Sequence, residues 1–437
     1  MTRKVVLTAL TFFITSCSSH QAFRNEYIST YHQGQLERTE ICLSEAIDTK
    51  IPSNDFKKSK DAVWLLLDRA TSRFARGDTP GAILDYNKAI EAIDYCNQSS
   101  LAENISQMVV QDDVAAYNGD DFEQVLARVY LALALFQEGD DSNAYALLRQ
   151  AENAQQKIKE TYAQHRHTAH YSLVDNTVAK YLLAVVSEKR GDYSNATILY
   201  NQINFQVPDN SQIPVNCATV LVIAHNGNAP YKISGTCNGS EASGVLLEMM
   251  LSSSSRKLNP ALSSLVGIPV PVLCQKFRSD PIPIHVALDD NKKMLLPIYD
   301  VKAIAYAQLE QKKPAIVARG VARLLSRRAA VAGFQQNDQC LGALADFGMF
   351  VANLNTKADT RSWSTLPSSI DVARFDVAEG VHGLKIASYA QPLFQQGYTL
   401  NLKPYDLCII NLFIIHPGVV YIQIPKRFLP KENFYDS

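Results

Sequence analysis

Hydrophobic positions in the first half of the chain recur with the spacing of an α-helix. In the stretch VLARVYLALALF (125–136), apolar side chains lie three and four residues apart and therefore share a helical face. Gly139 follows shortly afterwards and is placed to end this helix, because glycine adopts the left-handed conformation at little cost. The pattern predicts helices separated by glycine turns across residues 59–210.

Three segments of this helical half resemble one another. They are GDTPGAILDYNKA (77–89), GDDSNAYALLRQA (139–151) and GDYSNATILYNQI (191–203), and each begins with Gly-Asp. Small residues stand where two antiparallel helices would touch, and a large residue follows to fill the gap. The recurring positions include Gly77, Ala82, Tyr86, Gly139, Ala144, Gly191, Ala196 and Tyr200. We expect tetratricopeptide-like (TPR-like) packing here, with ordinary helical hairpins as the alternative.

The spacing of the three glycines departs from a regular repeat. Gly139 lies 62 residues after Gly77, and Gly191 lies 52 residues after Gly139. The TPR period is about 34 residues. Extra helices are therefore expected in 98–120 and 153–178, and the predicted solenoid is irregular.

From Pro214 onward the pattern changes to short β-branched and aromatic runs separated by Gly and Pro. Such runs predict strands. The predicted strands are 218–227, 282–288, 381–389, 398–404, 407–415 and 419–424. Between them, 300–312 and 314–332 are predicted as a helical pair divided at Pro314, a residue tolerated in the first turn of a helix.

The predicted fold class is therefore α+β. An irregular TPR-like α-helical solenoid is followed by a mixed, mainly antiparallel β domain with a helical pair. A chain of 437 residues suits two or three domains. The predicted boundaries are a signal peptide at 1–16, an N-terminal helix or tether at 17–58, helical repeats at 59–210, a C-terminal α/β domain at 214–425 and a tail at 426–437.

The N-terminus has the pattern of an export signal. Arg3 and Lys4 precede the apolar run VVLTALTFFI (5–14), which is shorter than the roughly 20 residues that span a bilayer. Small residues then stand directly before Cys17, and ITSC (14–17) resembles the bacterial lipobox, whose cysteine is diacylated. We predict lipidation (palmitate) at Cys17; the alternative is an ordinary secreted protein with a chance cysteine.

Ser18, rather than Asp, follows Cys17. In the lipoproteins that the motif resembles, this favours sorting to the outer membrane, so we expect a lipid-anchored, periplasm-facing protein. A formal net charge of −1 gives no indication of a nucleic-acid partner. No cofactor is expected, and no metal site, because the histidines of HRHTAH (165–170) lack a completing Cys or acidic ligand. Cys217 and Cys237 are the best candidates for a disulfide in an oxidising compartment.

The stretch KADTRSWSTLP (357–367) concentrates chemically active side chains. Asp359 and Arg361 are two residues apart and point the same way in an extended segment, and Trp363 suits a buried plug. We interpret the stretch as a structural corner. The alternative is a glycan-binding or hydrolytic site that uses Asp359 and Arg361 with His382, although no nucleophile stands beside a base.

A second candidate surface lies on the second predicted helix of the pair. Arg319, Arg323 and Arg327 are four residues apart and line one helical face. This stripe could meet an anionic surface such as lipid headgroups, but a solvated or internally paired face is favoured, because charge runs usually solvate.

The chain also resembles a known family. The segments AYNGDDFEQVLARVYLALALFQEGDDSNAYALLRQAENA, VIAHNGNAPYK and ADTRSWSTLP, behind a lipobox, resemble an uncharacterised bacterial lipoprotein family with TPR-like helices. Genes of this family tend to lie near a lipoprotein activator of peptidoglycan synthases. The resemblance implies a cell-envelope scaffold or adaptor that acts through protein–protein interaction, and no catalytic residue can be transferred from it. We therefore expect a non-enzymatic protein.

Overall fold

The computed structural model describes residues 23–52, 55–102, 116–164, 174–206, 216–236, 269–276, 280–335, 358–388, 394–416 and 419–430. The first half of this described chain is helical. Helix α1 covers residues 23–32, and α2 to α8 are Leu36–Lys50, Ala62–Arg76, Thr79–Ala102, Asp121–Glu138, Asp141–Gln164, Thr177–Lys189 and Tyr193–Gln202. The predicted N-terminal tether thus contains two helices, and Tyr27 and Leu43 on them are fully buried.

Each Gly-Asp pair of the repeats forms a tight turn between two helices. Gly77 and Gly139 have φ values of 94° and 85°, which only glycine adopts readily, and each ends the helix before it. The following aspartate caps the next helix: Asp78 accepts from the Gly81 N–H, and Asp192 accepts from the Asn195 N–H. One dipeptide therefore stops one helix and starts the next.

The three hairpins that the repeats predicted, α3/α4, α5/α6 and α7/α8, are present. Their small residues Ala82, Ala144 and Ala196 are at most 2% exposed. The large residues Tyr86, Leu148 and Tyr200 are fully buried beside them. The alanines thus lie where a longer side chain would separate the two helices of each hairpin.

The described parts of 98–120 and 153–178 contain no additional helix. Residues 98–102 and 153–164 instead continue α4 and α6, each of which is 24 residues long. Residues 103–115 and 165–173 lie outside the described chain. Part of the irregular spacing therefore comes from long second helices.

The second half contains eleven described strands, β1 to β11. They are Ala218–Asn226, Tyr231–Thr236, Pro269–Cys274, His285–Leu288, Asn291–Met294, Leu296–Asp300, Ser369–Val377, Gly380–Ser388, Phe394–Leu402, Leu407–His416 and Val419–Gln423. They form a five-stranded sheet in the order β11-β10-β1-β7-β6, a four-stranded sheet in the order β5-β4-β8-β9, and the pair β2-β3. All pairings are antiparallel except β1 with β10. This confirms a mixed, mainly antiparallel arrangement.

The helices and the two larger sheets form three layers. Leu221 and Ile223 on β1 pack into the core beneath the helices, whereas Val220 and Val222 pack against the four-stranded sheet. The central strands β1 and β10 are therefore buried on both faces, which explains their near-continuous apolar sequences. The core under the helices contains side chains from both sides of the predicted domain boundary, such as Tyr200 and Leu221.

The predicted helical pair is wrong. One helix, α9, runs from Val301 to Gln335 with Pro314 inside it. Proline in a helix interior removes one backbone donor, and its ring crowds the carbonyl four residues earlier, so it usually kinks or ends the helix. The long run of Ala, Gln, Lys and Arg around Pro314 favours helix strongly enough to continue past it.

Two further observations concern the C-terminal tail and the apolar character of the helices. The predicted tail begins with a 3₁₀ turn, Lys426–Phe428, whose Phe428 is buried. Across the described residues, none of the helices is both long and apolar enough to cross a bilayer.

Candidate functional site

The segment from Ala358 to Ser368 lies between the helical layer and the sheets. We call it the 358–368 segment. Every residue from Arg361 to Ser368 is buried, although most are polar. Buried polar groups require hydrogen-bond partners, so this segment must find its partners in the helices around it.

Asp359 and Arg361 form the pair that their spacing predicted. The Arg361 Nε and Nη2 atoms donate to the two Asp359 carboxylate oxygens at 2.8 Å each, and Nη1 donates to the Lys60 carbonyl at 2.7 Å. Burial lowers the pKa of Arg361, but the Asp359 hydrogen bond and charge outweigh it and raise the pKa above its ordinary value. The guanidinium also lies over the Tyr117 ring at 5.3 Å. All three guanidinium nitrogens are thus engaged within the protein.

Trp363 is the plug of the segment and is 1% exposed. Its indole N–H points at the Thr71 hydroxyl at 2.9 Å and at the Thr365 hydroxyl at 3.2 Å. Its ring packs against Tyr130 and Tyr86, with centroid distances of 5.1 and 6.1 Å. The helices α3, α4 and α5 therefore supply the walls of its pocket.

Two buried carboxylates from the helices hold the backbone of the segment. Asp68 on α3 accepts from the Thr365 N–H and hydroxyl, both at 2.9 Å, and from the Tyr27 hydroxyl at 2.8 Å. Glu123 on α5 accepts from the Trp363 N–H at 2.9 Å. The segment is thereby bound much as an extended peptide would be, through alternate backbone amides.

The two carboxylates have perturbed acidity. Burial raises the pKa of Asp68 to about 7, although hydrogen bonds from Tyr27 and Thr365 act in the opposite direction. Burial and the neighbouring Asp120 charge raise the pKa of Glu123 to about 7. In both cases loss of water is the larger effect, because a carboxylate in a dry interior is costly to ionise.

A buried histidine continues this polar network toward the sheet. His225 on β1 lies 2.9 Å from the Tyr130 hydroxyl through Nδ1 and 3.3 Å from Asn411 Oδ1 through Nε2. Its ring stacks on Phe413 at 4.3 Å. Burial lowers the pKa of His225 to about 4, so the imidazole is neutral at ordinary pH. The gap that it lines with Tyr130 and Phe413 is too narrow to hold a water molecule.

The other predicted candidates lie elsewhere. His382 contacts Asp289 at 2.7 Å and the Ala378 carbonyl at 2.9 Å, rather than Asp359 or Arg361. The structure therefore does not assemble the three residues of the alternative catalytic site. Within the described chain, no group of three or more His, Cys, Asp or Glu side chains is arranged to hold a metal ion.

Several predicted positions fall partly or wholly outside the described residues. Cys17, Cys237 and the histidines of 165–170 are outside, and Cys217 is a free, buried cysteine. Arg319 lies half-buried on α9, whereas the side chains of Arg323 and Arg327 are not described. The proposed arginine stripe thus stays a prediction.

The sequence reasoning missed Asp68 and Glu123, which hold the 358–368 segment. A signal was present, because Asp68 is the single acid within the apolar run AVWLLLDRA and Glu123 precedes the apolar run 125–136. An acid on an otherwise buried helical face must have a buried partner. The partners themselves, 297 residues from Asp68 and 240 residues from Glu123, could not be identified from the pattern.

Comparisons of the chain with family models, with curated proteins and with solved structures found no match. The lipoprotein resemblance and what it implies about function therefore remain predictions.

Proposed function

We propose that this protein is a lipid-anchored adaptor of the bacterial cell envelope that binds protein partners on the outer surface of its helical layer. The observation that carries the proposal is that strands and the 358–368 segment already cover the inner surface of the helical layer. Helices α3, α5 and α7 are buried over most of their length against the strands β11, β10 and β6, and the 358–368 segment fills the space beside α3 and α5. A partner that binds the helical layer would therefore have to use the outer helices α2, α4, α6 and α8.

These outer helices carry apolar side chains in contact with water. Ile41 on α2, Leu84 on α4 and Ile198 on α8 are 54%, 62% and 56% exposed. A single exposed apolar side chain reduces the stability of the free protein little. Exposed aliphatic side chains on repeat helices are also the groups that a partner would cover. The location at the periplasmic face of the outer membrane follows from the predicted lipidation of Cys17.

Catalysis at Asp359 and Arg361 has less support. The Arg361 nitrogens are all engaged with Asp359 and with the Lys60 carbonyl, and Trp363 closes the adjoining space. A substrate would have to displace these contacts before it could reach either side chain.

Site-specific photo-crosslinking in living cells tests the adaptor proposal. A photoreactive amino acid is placed at Leu84 or Ile198, and the matched control carries it at Thr399, which is exposed on β9 of the four-stranded sheet. We expect a discrete protein adduct at the helical positions and none at Thr399. Equal labelling at all three positions, or adducts at Thr399 alone, would contradict a partner surface on the outer helices.

A further inference from the structure

Arg24 on α1 is a buried cation with more than half of its hydrogen-bonding capacity unused. It is 2% exposed, and its Nη1 atom donates to the Lys232 carbonyl at 2.7 Å and to the Thr360 carbonyl. Its Nε and Nη2 atoms have no hydrogen-bond partner among the described residues. A buried donor without a partner is costly, and one on a charged group more so.

The two unused nitrogens form one edge of the guanidinium. Nε and Nη2 present parallel N–H bonds in the fork that matches two oxygens of a carboxylate or a phosphate. The face of the guanidinium is already satisfied, because it lies over the Trp64 ring with its central carbon 5.5 Å from the ring centroid. The Nε and Nη2 edge of Arg24 therefore still lacks an acceptor, and an oxyanion would supply one.

A second cation converges on the same indole. The Lys50 ammonium lies 5.8 Å from the Trp64 ring centroid and 4.9 Å from that of Phe23. Burial lowers the pKa of Lys50, and the positive charges of Lys60 and Arg24 lower it further against the opposing effect of Asp61. Three cations thus repel one another at the start of the helical layer, and an anion between them would relieve that repulsion.

Among the described residues, no nearby acid forms a hydrogen bond with Arg24. Asp61 accepts from the Trp64 indole N–H at 3.0 Å. Asp68 acts on Arg24 through its charge, but its oxygens accept from Tyr27 and Thr365. Residues 1–23 contain no Asp or Glu, so the chain before Arg24 holds no carboxylate side chain that could fill the fork.

We propose that Arg24 and Lys50 form a binding site for a phosphate group beside Trp64. Two parallel N–H bonds from Arg24 and the ammonium of half-buried Lys50 would supply two positive charges, which suits phosphate better than a single carboxylate. Lys50 marks the more open side, from which the anion enters. The phosphate is either free in solution or part of a lipid headgroup, since Arg24 follows Cys17 by only seven residues. The lipid source rests on the proposed lipid anchor, whereas phosphate binding itself does not.

Phosphate titration of the full-length protein in non-ionic detergent tests the site. Sodium phosphate is added at constant ionic strength with chloride as the reference ion, and binding is followed by calorimetry and by the emission of the two tryptophans. We expect saturable binding that Arg24→Gln weakens at least about tenfold. Arg24→Lys keeps the charge but loses the fork and should also bind more weakly, whereas the exposed control Arg38→Gln should bind as the wild type does.

Lys50→Gln keeps the test decisive if Arg24→Gln fails to fold, as judged by circular dichroism. A wild-type protein without saturable phosphate binding would overturn the proposal, and so would Arg24 and Lys50 variants that bind as tightly as wild type. The source is distinguished with the unacylated Cys17→Ser protein and vesicles of phosphatidylglycerol or phosphatidylcholine. Arg24-dependent sedimentation with phosphatidylglycerol supports a headgroup, and binding of inorganic phosphate alone supports a soluble anion.

Discussion

Asp68 and Thr365 are joined by two hydrogen bonds across 297 residues of sequence. One Asp68 oxygen accepts from both the Thr365 N–H and the Thr365 hydroxyl, and the other oxygen accepts from Tyr27. Helix α1, helix α3 and the 358–368 segment therefore meet at a single carboxylate. The helical half and the β half are thereby tied into one packed structure.

Removal of the Trp363 side chain should destabilise the whole chain. Trp363→Ala empties a site enclosed by Tyr86 and Tyr130 and leaves the Thr71 hydroxyl without its indole donor. We expect a loss of about 3–5 kcal/mol in the free energy of unfolding, the usual cost of such a truncation. Urea unfolding of the full-length protein measures it, and a variant as stable as wild type would contradict the structural role of the segment.

Substitutions of Asp359 and Arg361 should reduce stability less than removal of the Trp363 side chain. Asp359→Asn keeps an oxygen acceptor for Arg361, and Arg361→Lys keeps the charge but not the two parallel hydrogen bonds, so each should cost less than Trp363→Ala. Urea unfolding of the three variants ranks their losses in the free energy of unfolding. If both variants are as stable as wild type but fail to complement a deletion strain, the segment serves chemistry rather than packing.

The acidity of Asp68 makes a pH-dependent prediction. Because its folded pKa of about 7 lies above the unfolded value of 3.8, the unfolded chain loses its proton first as the pH rises. The contribution of Asp68 is therefore fully present below pH 4 and is lost progressively up to pH 7, by at most about 1.4 kcal/mol per pH unit. Asn does not titrate, so Asp68→Asn lacks this loss. The stability of the variant relative to wild type should therefore be greater at pH 8 than at pH 5.

Urea unfolding of both proteins at these two pH values measures that difference. The histidines His32 and His225, whose pKa values burial lowers to about 4, act in the opposite direction below pH 6.5 in both proteins. Their effect cancels when the variant is compared with wild type. A stability difference that does not change with pH, or that moves in favour of wild type, would contradict the raised pKa of Asp68.

Over-packing should distinguish the repeat alanines from other alanines. Ala144→Leu and Ala196→Leu place three extra carbons between paired helices and should each cost about 1–3 kcal/mol. Ala163→Leu, at an exposed position of α6, is the matched control and should cost little. Thermal melts compare the three, and equal melting temperatures would exclude tight packing at Ala144 and Ala196.

The lipid anchor is tested by fractionation. Cys17→Ser removes the thiol that would be acylated, and more than one acyl chain is needed for stable anchoring. We expect the variant in the soluble periplasmic fraction or unprocessed, while wild type sediments with the outer membrane. Unchanged outer-membrane association of the variant would mean that another contact holds the protein there.

Local patterns in the sequence identified most of the elements. The Gly-Asp pairs marked the helical hairpins because both residues act within one turn of chain: Gly77 adopts a left-handed conformation, and Asp78 caps the next helix. The strands β1 and β10 were evident because burial on both faces requires a continuous apolar run. The break predicted at Pro314 does not occur, because the helix-favouring residues around the proline outweigh its unfavourable effect on the helix.

The sequence by itself thus identified the helical hairpins, the strands β1, β4 and β8 to β11, and the pairing of Asp359 with Arg361, since these depend on neighbours in the chain. The strands β2, β3, β5, β6 and β7 were not predicted. Only the tertiary structure decided that the 358–368 segment fills the inner side of the helices, and that Asp68 and Glu123 hold it there. It also decided that Arg24 is buried with a free guanidinium edge. Such contacts join residues hundreds of positions apart, and the physical requirement that buried polar groups find partners does not specify which distant group will satisfy them.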